Sequence, residues 1–266
     1  MNEPRPVIVI GGGLAGCEAA WQLSRSGLPV QLFEMKPARF SAAHRSPALA
    51  ELVCSNSLRS DRPDSAPGVL KREMRFLGSL LLEAAEAAAV PADRALAVDR
   101  IEFSRHIEER LSGTGKIEIR REEVTKIPDG EPVLVATGPL TSDALAAEIA
   151  SLTGKNHLFF YDAISPIVDA GSLHYERMFR ASRYVEGGGD YWNCPLTKVQ
   201  YEAFREEILA ARTVEPRPFE EAAYFEGCLP IEVLASRCLL YTSDAADDLL
   251  CVDLGGRRTI KKNRII

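Results

Sequence analysis

The chain has 266 residues, a net charge of −6, 46% hydrophobic and 26% charged residues. That is the make-up of a soluble globular protein with room for one large domain or two smaller ones, and it excludes fibrous and disordered classes. No apolar run approaches the roughly 18 residues that span a bilayer, and the acidic balance does not advertise a nucleic-acid binder, although a local basic patch would suffice for one.

In chain order, the first informative stretch is Val7-Ile8-Val9-Ile10-Gly11-Gly12-Gly13-Leu14-Ala15-Gly16. It begins after Pro6 and runs into glycines, as a strand does and a secretion signal does not. An apolar β-branched run feeds G-x-G-x-x-G, and Cys17 to Leu23 follows with helical spacing. Gly11 allows a tight turn, Gly13 lets backbone approach a pyrophosphate, and Gly16 lets helix pack close to strand. The pyrophosphate belongs at the helix N-terminus, over Leu14 and Ala15, where N–H groups and the dipole favour negative charge. A second strand, Pro29 to Phe33, ends on Glu34, placed to accept hydrogen bonds from a ribose. The alternative is a glycine-rich turn in some other βα unit, against which the agreement of strand, helix, second strand and acid argues.

A polar stretch follows to Ala48, and Ala48 to Leu58 reads as a short helix or turn. Apolar spacing through Leu70, Met74, Leu77, Leu81, Ala84 and Ala85 predicts one long helix over Gly68 to Val90. Ala95 to Val98 is a short strand, Phe103 to Leu111 a helix with Ser104 as its candidate cap, and Lys116 to Arg120 a strand. The strand Pro132 to Gly138 ends in Ala136-Thr137-Gly138, a pattern that recurs in two-dinucleotide-type flavoproteins and favours FAD over NAD, with Thr137 and Gly138 near the cofactor. Thr141 or Ser142 caps a helix to Leu152, and His157 to Tyr161 is a strand. Composition turns aromatic and glycine-rich from about Tyr184, so a boundary is placed near 183; Thr197 then caps a helix to Ala211.

Six cysteines (Cys17, Cys54, Cys194, Cys228, Cys238, Cys251) lack metal-ligand spacing, so no metal site is expected and they read as free thiols of a reducing cytoplasm. Cys228 lies in Tyr224-Phe225-Glu226-Gly227-Cys228-Leu229-Pro230-Ile231-Glu232, where a Gly–Pro turn exposes the side chain and leaves backbone N–H groups to stabilise a thiolate. Cys54 precedes the polar Ser55-Asn56-Ser57. The alternative for each is a small buried hydrophobe, a reading that Cys17 and Cys194 fit.

The segments Gly11–Trp21, Glu51–Arg59, Ala136–Leu140 and Phe225–Val233 together resemble the folate- and FAD-dependent tRNA (uracil-5-)-methyltransferase family, over residues from about 5 to 237. Glu-Leu-Val-Cys-Ser-Asn-Ser-Leu-Arg and Phe-Glu-Gly-Cys-Leu-Pro-Ile-Glu are specific to it. The resemblance implies an α/β fold: a Rossmann-like, two-dinucleotide-type FAD-binding domain with the beginning of an inserted α+β domain. It implies FAD, methylenetetrahydrofolate as carbon donor, NADH or NADPH as reductant, and the T-loop uridine of tRNA as substrate. Cofactor contacts fall on Gly11, Gly12, Gly13, Leu14, Ala15, Gly16, Glu34, Thr137 and Gly138. Cys228 becomes the catalytic nucleophile and Cys54 a second catalytic cysteine near the flavin. The chemistry agrees: uracil C5 is a poor nucleophile until a thiolate adds at C6, and a stacked base must be flipped out to reach it. Glu226 and Glu232 are either proton carriers or structural. Arg59, Arg62, Lys71, Arg72 and Arg75 meet tRNA phosphates or form an ordinary solvated face.

After Arg237 the resemblance stops. The expected plan is therefore a FAD-binding domain over 1–183, the start of the substrate domain over 184–237, and a tail over 238–266 that matches nothing in the family. The chain reads as a C-terminally truncated, inactive fragment of such an enzyme with an artefactual or disordered tail, soluble and cytoplasmic, with no membrane association. Two alternatives are a related FAD- and folate-using enzyme of the tRNA wobble uridine, against which the Phe225–Pro230 turn argues, and a non-catalytic FAD- or tRNA-binding module.

Overall fold

Strand β1 (Val7–Ile10), helix α1 (Leu14–Arg25) and strand β2 (Val30–Phe33) form a crossover unit in which β1 and β2 run parallel, Val9 opposite Leu32. Parallel neighbours need such a connection, and β-branched residues suit a strand covered on both faces. The structure is a computed structural model and describes residues 5–41, 43–53, 55–154, 170–182, 189–213 and 231–237. The expected strand at 157–161, the expected boundary at 183 and the tail 238–266 lie outside these residues.

The short helix or turn expected over Ala48 to Leu58 is replaced at its end by strand β3 (Ser57–Ser60). The long helix expected from Gly68 to Val90 is two helices, α2 (Ala66–Phe76) and α3 (Leu80–Ala87), followed by strand β4 (Ala89–Val90). The break has a local cause. Gly78 adopts φ +71°, outside the helical region, and the Ser79 hydroxyl then accepts the Leu82 N–H to cap α3. Apolar spacing alone does not register the break, because α3 buries Leu80, Leu82, Ala84 and Ala85 while α2 buries only Gly68 and Lys71.

Strand β5 (Ala95–Val98) forms as expected and sits between β3 and β4 in an antiparallel sheet. Helix α4 (Arg100–Ser112) starts before Phe103, since Asp99 and not Ser104 caps it: the Asp99 carboxylate accepts the N–H groups of Ile101 and Glu102, and Ser104 is buried within the helix. Strands β6 (Ile117–Arg120) and β7 (Val133–Val135) complete a four-stranded parallel sheet in the order β6-β2-β1-β7. Helix α5 (Asp143–Thr153) begins after Ser142, whose side chain makes no capping bond. Strands β8 (Phe179–Ala181) and β9 (Tyr191–Asn193) pair antiparallel, helix α6 (Lys198–Ala210) begins with Thr197 and Gln200 in a reciprocal capping box, and α7 is Ile231–Arg237.

Alternation along β1 divides the core. Val9 joins Trp21, Leu32, Leu49, Leu80, Phe103, Ile107 and Leu111 in the main cluster beneath α1, α3 and α4. Ile8 and Ile10 face the other way, onto Leu145 of α5. The sheet is thus covered on both faces, which is the Rossmann-like α/β arrangement. Among the described residues no helix is long and apolar enough to cross a membrane.

Candidate functional site

The site forms where β1, β2 and β7 end together. Gly11 turns the chain at φ +107°, and a Cβ there would lie 2.6 Å from the Ala136 carbonyl oxygen. Gly16 is tighter: its Cβ would stand 1.7 Å from the Gly11 carbonyl oxygen, so α1 rests on the turn that launches it. Gly13 caps α1 and differs from both, with no atom of the described residues within 4 Å of where its Cβ would be. The first turn of α1, starting at half-buried Leu14 and exposed Ala15, carries no acidic side chain and so leaves its dipole uncompensated toward that space.

Glu34 closes the other side. Its carboxylate is buried at 7% exposure; Oε2 accepts the Gly12 N–H and Oε1 the Lys36 N–H, both at 2.9 Å. Each oxygen keeps a lone pair for a further donor, so the pair suits two neighbouring hydroxyls.

A strap of residues 45–51, expected as the end of a polar stretch and the start of a short helix or turn, lies across this turn. The Ala50 N–H donates to the Gly12 carbonyl oxygen at 2.8 Å, and the fully buried Leu49 packs against Gly12. Its fastenings are Lys36, Glu51, Glu108 and Arg121. A buried lysine in a polar segment leaves no periodic signal by which sequence could have found it.

At the β7 end, the Ala136 N–H donates to the Ile10 carbonyl oxygen at 2.7 Å, and the Thr137 and Thr141 hydroxyls share a hydrogen bond at 2.6 Å. Gly138 has φ +65°, and no atom of the described residues lies within 4 Å of its Cβ position. Thr137 and Gly138 line a hollow of about 370 Å³ together with Thr141 and Thr153, its remaining walls, including Ile127, Val135 and Leu152, being apolar.

Cys228 and Cys54 lie outside the described residues. Cys17 is fully buried with its Sγ 3.3 Å from the Gly12 carbonyl oxygen, and burial first, then the Glu34 charge, push its thiol up to about 12. It is inert packing, as expected. Cys194 is exposed, contrary to expectation, because it sits in the link between β9 and α6 and not on a packed face. Of the five basic residues, Arg62, Lys71 and Arg75 are engaged within the fold, while Arg59 and Arg72 are exposed. Arg75 pairs with Asp61 at 2.8 Å and Glu86 at 2.5 Å, Arg62 pairs with Asp64, and buried Lys71 donates to the Ser60 carbonyl oxygen at 2.9 Å. Among the described residues no group of three or more His, Cys, Asp or Glu is placed to hold a metal ion.

The glucose inhibited division protein A family matches residues 6–242. A methylenetetrahydrofolate--tRNA-(uracil-5-)-methyltransferase TrmFO of Syntrophus aciditrophicus (strain SB) is 56% identical over 238 residues, 89% of this chain and 54% of that protein. Proteins of the same name are similar in Citrifermentans bemidjiense, at 57% identity over 87% of this chain and 53% of the relative, and in Pelotomaculum thermopropionicum, at 54% over 88% and 53%. The chain spans about half the length of the curated relatives it matches. Among solved structures, a GidA-related protein from Thermus thermophilus aligns at 18% identity and a TM-score of 0.29, covering 50% of this chain and 52% of the other.

Proposed function

The chain belongs to the glucose inhibited division protein A family, and on that premise we propose that it carries the flavin-holding part of a cytoplasmic, folate- and FAD-dependent methyltransferase of uridine C5 in the tRNA T-loop. The observation that carries the reading is the space over Gly13, left open by the described residues at the uncompensated end of α1, beside the two carboxylate oxygens of Glu34. A dinucleotide needs this pairing, since its pyrophosphate takes the helix end and its ribose the acid.

The residues present fit FAD. Gly11, Gly12, Gly13, Leu14, Ala15 and Gly16 would hold the pyrophosphate, Glu34 the adenosine ribose, and Thr137 and Gly138 would flank the cofactor at the end of β7. When bound, FAD supplies the electrons that reduce a one-carbon unit from methylenetetrahydrofolate to a methyl group, with NADH or NADPH as the source. The identity of 52–57% to proteins named as tRNA (uracil-5-)-methyltransferases supports this choice of substrate. Cys228 is the proposed nucleophile: its thiolate adds to C6 of the flipped uracil, making C5 an enolate-like nucleophile that takes the one-carbon unit as that carbon's bond to the tetrahydrofolate nitrogen breaks; the C5 proton is lost, and the thiolate leaves as reduction completes the methyl group. Cys54 has a supporting role beside the flavin.

The test uses the 266-residue chain, FAD and a T-arm RNA bearing 5-fluorouridine at the target position. Expected are flavin absorbance that co-elutes with protein and a covalent RNA–protein band, with Cys228→Ser losing the band and keeping the flavin. Flavin without an adduct leaves a binding module; an adduct that survives Cys228→Ser removes the nucleophile assignment.

A further inference from the structure

The strap across the glycine turn is fastened by a buried ion pair. Lys36 Nζ donates to Glu51 Oε2 at 3.0 Å and to the Ala48 carbonyl oxygen at 2.7 Å, with side-chain exposures of 3% for Lys36 and 13% for Glu51. Glu51 Oε1 accepts the N–H groups of Arg45 at 2.8 Å and Ser46 at 2.9 Å, so the pair closes the strap on itself. Farther along, Glu108 Oε1 accepts the Leu49 N–H at 2.9 Å and Arg121 Nη2 at 2.5 Å, while Arg121 Nη1 holds the Pro47 carbonyl oxygen at 2.8 Å.

Everything so fastened converges on Gly12. Ala50 bonds its carbonyl from above, and Leu49 Cδ2 lies 2.5 Å from where a Gly12 Cβ would stand. Gly12 in turn donates its N–H to Glu34 Oε2, and the backbone N–H of Lys36 fixes the other oxygen. Lys36 therefore acts twice: its backbone sets Glu34 directly, and its ammonium locks the strap that sets Gly12. Burying two charges costs desolvation that an apolar pair would avoid, which fits a pair retained for geometry.

We propose that the Lys36–Glu51 pair is a positioning device that holds the Glu34 carboxylate in register to read the 2′,3′-diol of an adenosine ribose. The inference rests on the dinucleotide reading of the glycine turn. Neither residue touches the ligand; both act through Gly12 and Glu34.

The test compares ADP with 2′,3′-dideoxy-ADP by calorimetry on the full chain. The two share base and pyrophosphate and differ only in the hydroxyls that Glu34 would accept. The unaltered chain is expected to prefer ADP by about tenfold or more, as two hydrogen bonds to a charged acceptor allow. In Glu51→Gln the preference should fall to within about threefold through weaker ADP binding, with dideoxy-ADP affinity unchanged. A merely structural role would weaken both nucleotides alike and overturns the inference, as does a preference that survives in Glu51→Gln. If Glu51→Gln does not fold, Lys36→Met with Glu51→Gln, which leaves no unpaired buried charge, carries the same comparison. Failure of the unaltered chain to bind either nucleotide overturns the dinucleotide reading itself, and the inference with it.

Discussion

A Cβ on Gly16 would stand 1.7 Å from the carbonyl oxygen of Gly11. The oxygen belongs to the main chain and a Cβ is fixed rigidly to it, so neither yields as the far end of a flexible side chain would. Gly16→Ala is expected to cost about 3 kcal/mol or more, as overpacking against main chain does. The urea midpoint of the variant checks this; an unchanged midpoint would mean that α1 does not rest on the turn.

Gly13 should behave in the opposite way. Its φ of −76° and ψ of −170° are open to any residue, and none of the described residues crowds its Cβ position. Gly13→Ala should lose less than about 1 kcal/mol, the scale of a helix-cap change, yet weaken FAD or ADP binding by about tenfold or more where a methyl group blocks the pyrophosphate. Calorimetric titration beside a melting curve separates the two effects, and undiminished binding would remove the anion from this helix end.

Gly78→Ala distinguishes two helices from one. In a continuous helix, alanine would stabilise by about 1 kcal/mol over glycine. Here Gly78 has φ +71°, and a Cβ would lie 2.3 Å from Arg25 Nη1, which donates to the carbonyl oxygens of Leu77 and Gly78 at 3.0 Å. A loss of about 1–2 kcal/mol is expected, from the left-handed conformation and the displaced guanidinium. The sign of the shift in melting temperature decides.

Acid should loosen the strap. Burial alone would raise the Glu51 carboxyl, but the N–H groups of Arg45 and Ser46 and the Lys36 ammonium outweigh it and hold it below its usual range. A carboxyl lowered on folding adds stability that is present above its unfolded value, about 4.3, and is lost as pH falls through the lower folded value. Urea midpoints measured from pH 7 to pH 3 should hold to about pH 5 and then fall, less steeply in Glu51→Gln than in the unaltered chain. Equal slopes would show that Glu51 takes no part in the acid loss.

What the sequence by itself determined is the β1–α1–β2 unit and the cap of α6. The apolar run at 7–10, the glycines at 11, 13 and 16, and Glu34 lie within one short stretch, and Thr197 with Gln200 within a single turn. Turn geometry, capping and strand alternation are settled among near neighbours, so the letters suffice. Only the tertiary structure decided the break at Gly78, the fate of the basic residues and the strap. Gly78 is held as a helix end by Trp21 Nε1, which donates to its carbonyl oxygen at 3.1 Å from 57 positions away. Arg75 is drawn to Asp61 and Glu86 across two other segments, and Lys36 is buried by Ala48 and Glu51. A charged side chain reads the same on a solvated face and in a buried pair. Which it becomes depends on partners that the fold alone brings within reach.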